Sequence, residues 1–157
     1  MSSGGSTVLF RALPSKSQFT VTEKRQLKNF ARLLSQDVVD GRTFACLITS
    51  DCELRNLNSQ FLGHDYATDV LSFPLGVGGG ELGDLAISVD RAEAQAHEFG
   101  HTCIDEVRIL MLHGVLHLAG MDHETDKGEM ARAEQKWRAQ LDLPATLISR
   151  TRKSRSA

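Results

Sequence analysis

Three of the six histidines fall within eleven residues, in the run His113-Gly-Val-Leu-His117-Leu-Ala-Gly-Met-Asp-His123. On a helix, His113 and His117 stand one turn apart on the same face. Gly120 then lets the chain leave the helix, because glycine takes positive φ without steric cost. His123 can thereby fold back and offer a third imidazole. Three neutral imidazoles leave a tetrahedral Zn²⁺ one open position, as catalytic sites do. Each histidine taken alone reads as a hydrogen-bonded core residue. Helical pairing, a breaker and a third ligand occurring together point to one bound metal ion. Zinc is the first choice for all-imidazole ligation; nickel, copper or iron could take the same geometry.

The spacing resembles the metal helix of metzincin proteases, with one omission. Those enzymes place a glutamate directly after the first histidine as general base. Here that position is Gly114, which carries no proton acceptor, so a peptidase reading loses its chemistry while the ligand geometry survives.

A helix must carry the pair. Val107, Leu110, Met111, Val115 and Leu118 trace a long apolar stripe, opened by Thr102 with Asp105 as a cap. Upstream, Asp90 with Glu93 suggests the cap of a short helix ending near Phe99. Downstream, Thr125 or Asp126 begins a helix through Met130, Ala133 and Trp137 to about Leu141. In the first half, Val8-Leu9-Phe10 reads as a strand. Thr20 and Glu23 form a capping box for a helix over 22–36. Phe44 to Thr49 reads as a buried strand, and Ser50 with Glu53 caps a helix turning Leu54 and Leu57 inward. Val70 to Phe73, stopped by Pro74, is expected to form a hairpin with Leu82 to Val89 across the glycine-rich 76–80 segment. In the latter strand, Leu82, Asp84, Ala86 and Ser88 alternate with Leu85, Ile87 and Val89. The sum is an α+β fold: a small mixed sheet with a hairpin, covered by helices, with a central metal helix.

The chain has 157 residues, enough for one domain that buries roughly 68–70% of its unfolded surface. One domain over 1–157 is expected, with flexible ends over 1–6 and 150–157. No apolar run approaches the ~20 residues that span a bilayer. Three cysteines, without a Cys-x-x-Cys or a secretory segment, suggest reduced thiols in a cytoplasmic setting. The net charge of −2 does not announce a nucleic-acid binder, but its distribution is uneven. Between Asn56 and Asp126 the only Lys or Arg residues are Arg91 and Arg108. The tail Arg150-Thr-Arg152-Lys153-Ser-Arg155 is basic.

The histidine run, Thr68-Asp-Val-Leu-Ser-Phe-Pro74, Leu82-Gly-Asp-Leu-Ala-Ile-Ser88 and the Glu106-to-His113 spacing together resemble the YbeY family of bacterial endoribonucleases. Leu57-Asn58 and Glu129-Met130 fit the same pattern, and the likeness is clear from about Thr43 to Glu134. The resemblance implies a zinc-dependent single-strand endoribonuclease with a zincin-like metal helix. It implies work in ribosomal RNA maturation at the small-subunit 3′ end and in ribosome quality control. The small ribosomal subunit and its RNA are then the expected partners. The ligands carried over are His113, His117 and His123.

One departure stands out. The family places an arginine after Leu-Asn and before the Thr-Asp-Val strand, where this chain has Leu62. An arginine could bind phosphate or stabilise charge on the transferring phosphoryl group; leucine can do neither, and His64 is the nearest substitute. The general acid and base are not assigned by the sequence: Asp122 and Glu124 flank the third ligand, and Asp122 could equally orient a ligand histidine. Asp69, Asp84, His97, His101 and Cys103 have plain structural readings, Asp84 as a partner for a backbone group. Phosphate contact is expected from Lys24, Arg25, Lys28 and Arg32, or from the tail. Two other functions compete: a zinc hydrolase of another substrate such as a peptide, and a metal-stabilised ribosome-binding factor with little catalysis.

Overall fold

The structure is a computed structural model of the whole chain and describes residues 5–63, 68–76, 78–122 and 125–144. Four strands, β1 (Thr7–Phe10), β2 (Thr43–Thr49), β3 (Val70–Pro74) and β4 (Glu81–Ser88), form one mixed sheet in the order β1-β2-β4-β3. β1, β2 and β4 run parallel, and β3 pairs antiparallel with β4 as the expected hairpin. Five helices among the described residues complete the α+β fold: α1 (Val21–Asp37), α2 (Asp51–Leu62), α3 (Val89–Phe99), α4 (Cys103–Leu118) and α5 (Glu129–Gln140). No described helix is long and apolar enough to cross a membrane.

Local chemistry sets most of the helix starts. Thr20 and Glu23 form a reciprocal capping box, satisfying two otherwise orphaned backbone donors. The hydroxyls of Ser50 and Thr102 accept from the N–H groups of Glu53 and Asp105. At α3 the expected cap, Asp90, is wrong. Ser88 holds that place, accepting from Arg91 N–H at 3.1 Å, because β4 runs into the helix without a loop. α5 also starts later than expected, at Glu129. Asp126 still serves it from outside, its carboxylate accepting from the N–H groups of Gly128 and Met130 at 2.9 and 2.8 Å.

The main core lies on one sheet face. It joins Leu27, Phe30 and Leu34 of α1 to Ile48, Ile87 and the buried stripe of α4. α4 is enclosed nearly all round: every residue from Ile109 to Leu116 is buried, as expected of a helix apolar on all sides. The second face carries α2 over a smaller cluster of Leu54, Leu71 and Ala86. The rest of that face is a groove of about 410 Å³ bordered by Leu9, Leu47, Phe61, Phe73 and Asp84. Asp84 is exposed, and among the described residues its carboxylate meets no backbone group, against expectation.

The expected alternation of β4 fails at one residue. Thr43 pairs with Glu81 but Phe44 pairs with Gly83, so Leu82 is an extra residue in the strand. A bulge of this kind switches the face of what precedes it. Leu82 therefore joins Leu85 and Ile87 in the main core, away from Asp84 and Ala86. At the chain's start, Ser6 is fixed by a bond to Ser35 at 3.1 Å and one from Phe44 N–H at 3.0 Å.

Candidate metal centre

The end of α4 builds the centre. Gly120 has φ +102°, its N–H bonds to His117 O, and Met121 N–H bonds to Leu116 O. These are the paired bonds of a Schellman motif, with glycine at the position that needs positive φ. The turn sends the chain off the helix just ahead of residue 123, as the spacing predicts. His123, Glu124 and His64 lie outside the described residues.

His113 and His117 are brought together, their rings 4.8 Å apart between centroids and nearly perpendicular at 78°. His113 is buried at 8% exposure. Its Nδ1 lies 2.5 Å from Oε1 of Glu134, a residue of α5 that is itself 1% exposed. The second oxygen, Glu134 Oε2, is buried and has no hydrogen-bond partner among the described residues. Glu134 was missed in the sequence. Its signal was an acidic residue on the stripe of Met130, Ala133 and Trp137, where a solvated side chain is the wrong type. The two described imidazoles suit a divalent cation of zinc's type. Among the described residues no group of three ligating side chains occurs, and the expected third ligand, His123, lies outside them.

Gly114 packs away from this cluster. A Cβ there would stand 2.6 Å from Leu85 Cδ2 and 3.3 Å from Val70 Cγ2. The residue after the first histidine thus faces the sheet, and any side chain there would have to displace Leu85.

The remaining candidates disperse. His101 Nε2 is 2.6 Å from Oε1 of the fully buried Glu106, a pair of its own near the start of α4. Cys103 is half-buried, and burial, helped by Glu93 and Glu106, pushes its thiol up to about 12. It stays protonated at neutral pH, the form that does not ligate metal. His97 is exposed at the end of α3. Asp69 braces the fold: its backbone oxygen accepts from Ser88 N–H and its carboxylate from Gln95. Leu62 closes α2 at 42% exposure. Asp122 is exposed, and its backbone oxygen accepts from Thr125 and Asp126 N–H groups.

Similarity to known proteins agrees with this architecture. Residues 14–142 match the family model described as Endoribonuclease YbeY. The Solibacter usitatus protein of that name is 56% identical over 146 residues, 93% of this chain and 95% of the relative. A Helicobacter pylori protein of the same name (strain ATCC 700392 / 26695) is 38% identical over 139 residues, 88% and 93% of the two chains. Among solved structures, the solution structure of TM1509 from Thermotoga maritima superposes with a TM-score of 0.56 at 28% identity, covering 83% of this chain and 85% of that one. A match from the turn before α1 to the end of α5, with identity above one half in a relative of nearly equal length, places the chain in the Endoribonuclease YbeY family.

Proposed function

We propose that the protein is a zinc-dependent, single-strand-specific endoribonuclease that works in ribosomal RNA maturation at the small-subunit 3′ end and in ribosome quality control. The small ribosomal subunit and its RNA are its partners in this reading, and the cytoplasm its setting. Family membership supports the nuclease class. The carrying observation is the pair His113 and His117 on one helical face, His113 buried and His117 half-buried, with Glu134 against His113.

His113, His117 and His123 would hold one zinc ion. When bound, such an ion supplies a Lewis acid for a phosphate oxygen and lowers the pKa of its water toward ~7. The protein's own groups do the rest. α4 holds the two imidazoles side by side on one face, its other faces being packed against the core. Gly114 offers no metzincin-type base, and a side chain at that position would be directed at Leu85 and Val70 of the sheet. Among the described carboxylates, Asp122 is nearest in sequence to the third ligand and exposed, so it is offered as the proton acceptor. Leu62 supplies no charge to the phosphate, which leaves that task to cations elsewhere. The same residue favours a second reading, a metal-stabilised ribosome-binding factor with little catalysis.

The test is cleavage of a single-stranded RNA by the purified protein, metal-replete and chelated, beside His117→Ala. Cleavage by the metal-replete wild type alone supports the nuclease. Equal cleavage in all three samples would identify a contaminant and sink the assignment. RNA binding without cleavage in any sample favours the binding factor.

A further inference from the structure

We propose that Glu134 is a positioning residue for the metal ligand His113: it holds the imidazole as the Nδ1–H tautomer, so that Nε2 presents its lone pair to a divalent cation. The inference rests on the metal reading above and adds a role for a residue of α5, beyond the histidine run.

Three observations carry it. First, Glu134 Oε1 and His113 Nδ1 are 2.5 Å apart, well within hydrogen-bonding distance. The hydrogen bond at one ring nitrogen decides which tautomer is present. Second, both groups are buried, at 1% and 8% exposure, so no water competes for Nδ1. Third, Glu134 Oε2 lacks a hydrogen-bond partner among the described residues. A buried carboxylate with one satisfied oxygen is a poor structural element. Apolar residues of similar volume usually serve as well or better. Its single strong contact is to a ligand imidazole, whose N–H becomes a better donor when the other nitrogen binds a cation. The chain also fixes where Glu134 lies. Asp126 accepts from the N–H groups of Gly128 and Met130 and so caps the start of α5, the helix that carries Glu134.

The experiment uses the full chain with Glu134→Leu and Glu134→Gln. Folding is followed by thermal unfolding, zinc affinity by competition with a chelating dye without RNA, and the His113 tautomer by long-range ¹H–¹⁵N spectra of the metal-free protein with neutral rings. Expected are an Nδ1–H His113 in the wild type and its switch to Nε2–H in Glu134→Leu. Zinc affinity of that variant should fall about 10–100-fold, the usual effect of removing such a partner. Glu134→Gln, whose amide oxygen can still accept, should keep the tautomer and lose less affinity. A folded Glu134→Leu with wild-type zinc affinity and unchanged tautomer would overturn the proposal. Should that variant not fold, an Nε2–H tautomer in the wild type overturns it instead, and an Nδ1–H tautomer kept by Glu134→Gln supports it. His117→Ala separates the two readings. If the wild type binds zinc no better than this variant, the metal reading fails, and the tautomer spectra still decide whether Glu134 sets the ring.

Discussion

Burial disarms two of the three thiols. Cys46 is 1% exposed, and desolvation alone pushes its thiol up to about 12; Cys103 is pushed to about 12 as well, by burial first and then by Glu93, Glu106 and Glu23. The thiolate is the nucleophile, so a disulfide reagent at pH 8 should modify one cysteine per native chain, the exposed Cys52, and all three after unfolding. Two fast thiols in the native protein would contradict this. Glu53 moves the other way. The hydrogen bonds it accepts, from Arg11 first and then from Thr49, hold the carboxyl below its ordinary 4.5. A depressed carboxylate contributes stability that is present above the unfolded pKa and lost as pH falls through the folded one. Glu53→Gln should therefore melt below wild type at pH 7, the gap closing as pH falls below 4.5. Added salt should narrow it too, since Arg11 is more than half exposed. A gap constant with pH would show that the charge is irrelevant there.

At the scale of elements, two glycines show how the helix and the sheet fit. Gly83 sits at φ +141°, and a Cβ would meet Phe73 O at 2.3 Å. Gly83→Ala combines backbone strain with overpacking and should destabilise by about 2–5 kcal/mol in denaturant unfolding. Gly114→Glu, which restores the metzincin pattern, should destabilise beyond the ~1–3 kcal/mol of overpacking alone, since it also drives a carboxylate between Leu85 and Val70. A wild-type unfolding midpoint for that variant would remove the packing argument. The sequence showed that Gly114 has no base to offer; only the sheet beneath it shows why no side chain stands there. The difference is general. The caps at Thr20, Ser50 and Thr102 were legible because a hydroxyl and an N–H three residues on meet within one turn. The Ser88 cap was hidden by a strand and a helix sharing a residue, and the Leu82 bulge by a register set against β2. Glu134 was hidden furthest. Its partner is 21 residues away, and nothing in α5 alone says that its buried stripe meets His113.

The whole molecule separates its charges. Between Asn56 and Asp126 only Arg91 and Arg108 are cationic, and both are engaged: Arg91 with Asp51, Arg108 with Asp105 at 2.9 Å and over the Phe30 ring. The segment that holds α4 and its histidine pair thus has few cationic side chains to attract phosphate. α1 packs against α4 and presents a different surface. Leu27, Phe30, Ala31 and Leu34 face the core, while Arg25, Lys28 and Arg32 are exposed. Lys24 is partly drawn inward over the Phe10 ring at 5.3 Å. The three exposed cations are spaced so that successive ones fall on neighbouring turns, a stripe suited to a single-stranded backbone. On the proposed function they hold the RNA while the histidines act on it. Each phosphate neutralised releases counterions, with a salt slope of about −0.7 per contact for single strands. Changing Arg25, Lys28 and Arg32 to glutamine should reduce the slope of log affinity against log salt by about 2 units, and should leave the unfolding midpoint near wild type because no core contact is lost. An unchanged slope would move the phosphate contacts off α1 and onto the basic tail from Arg150 to Arg155, which lies outside the described residues.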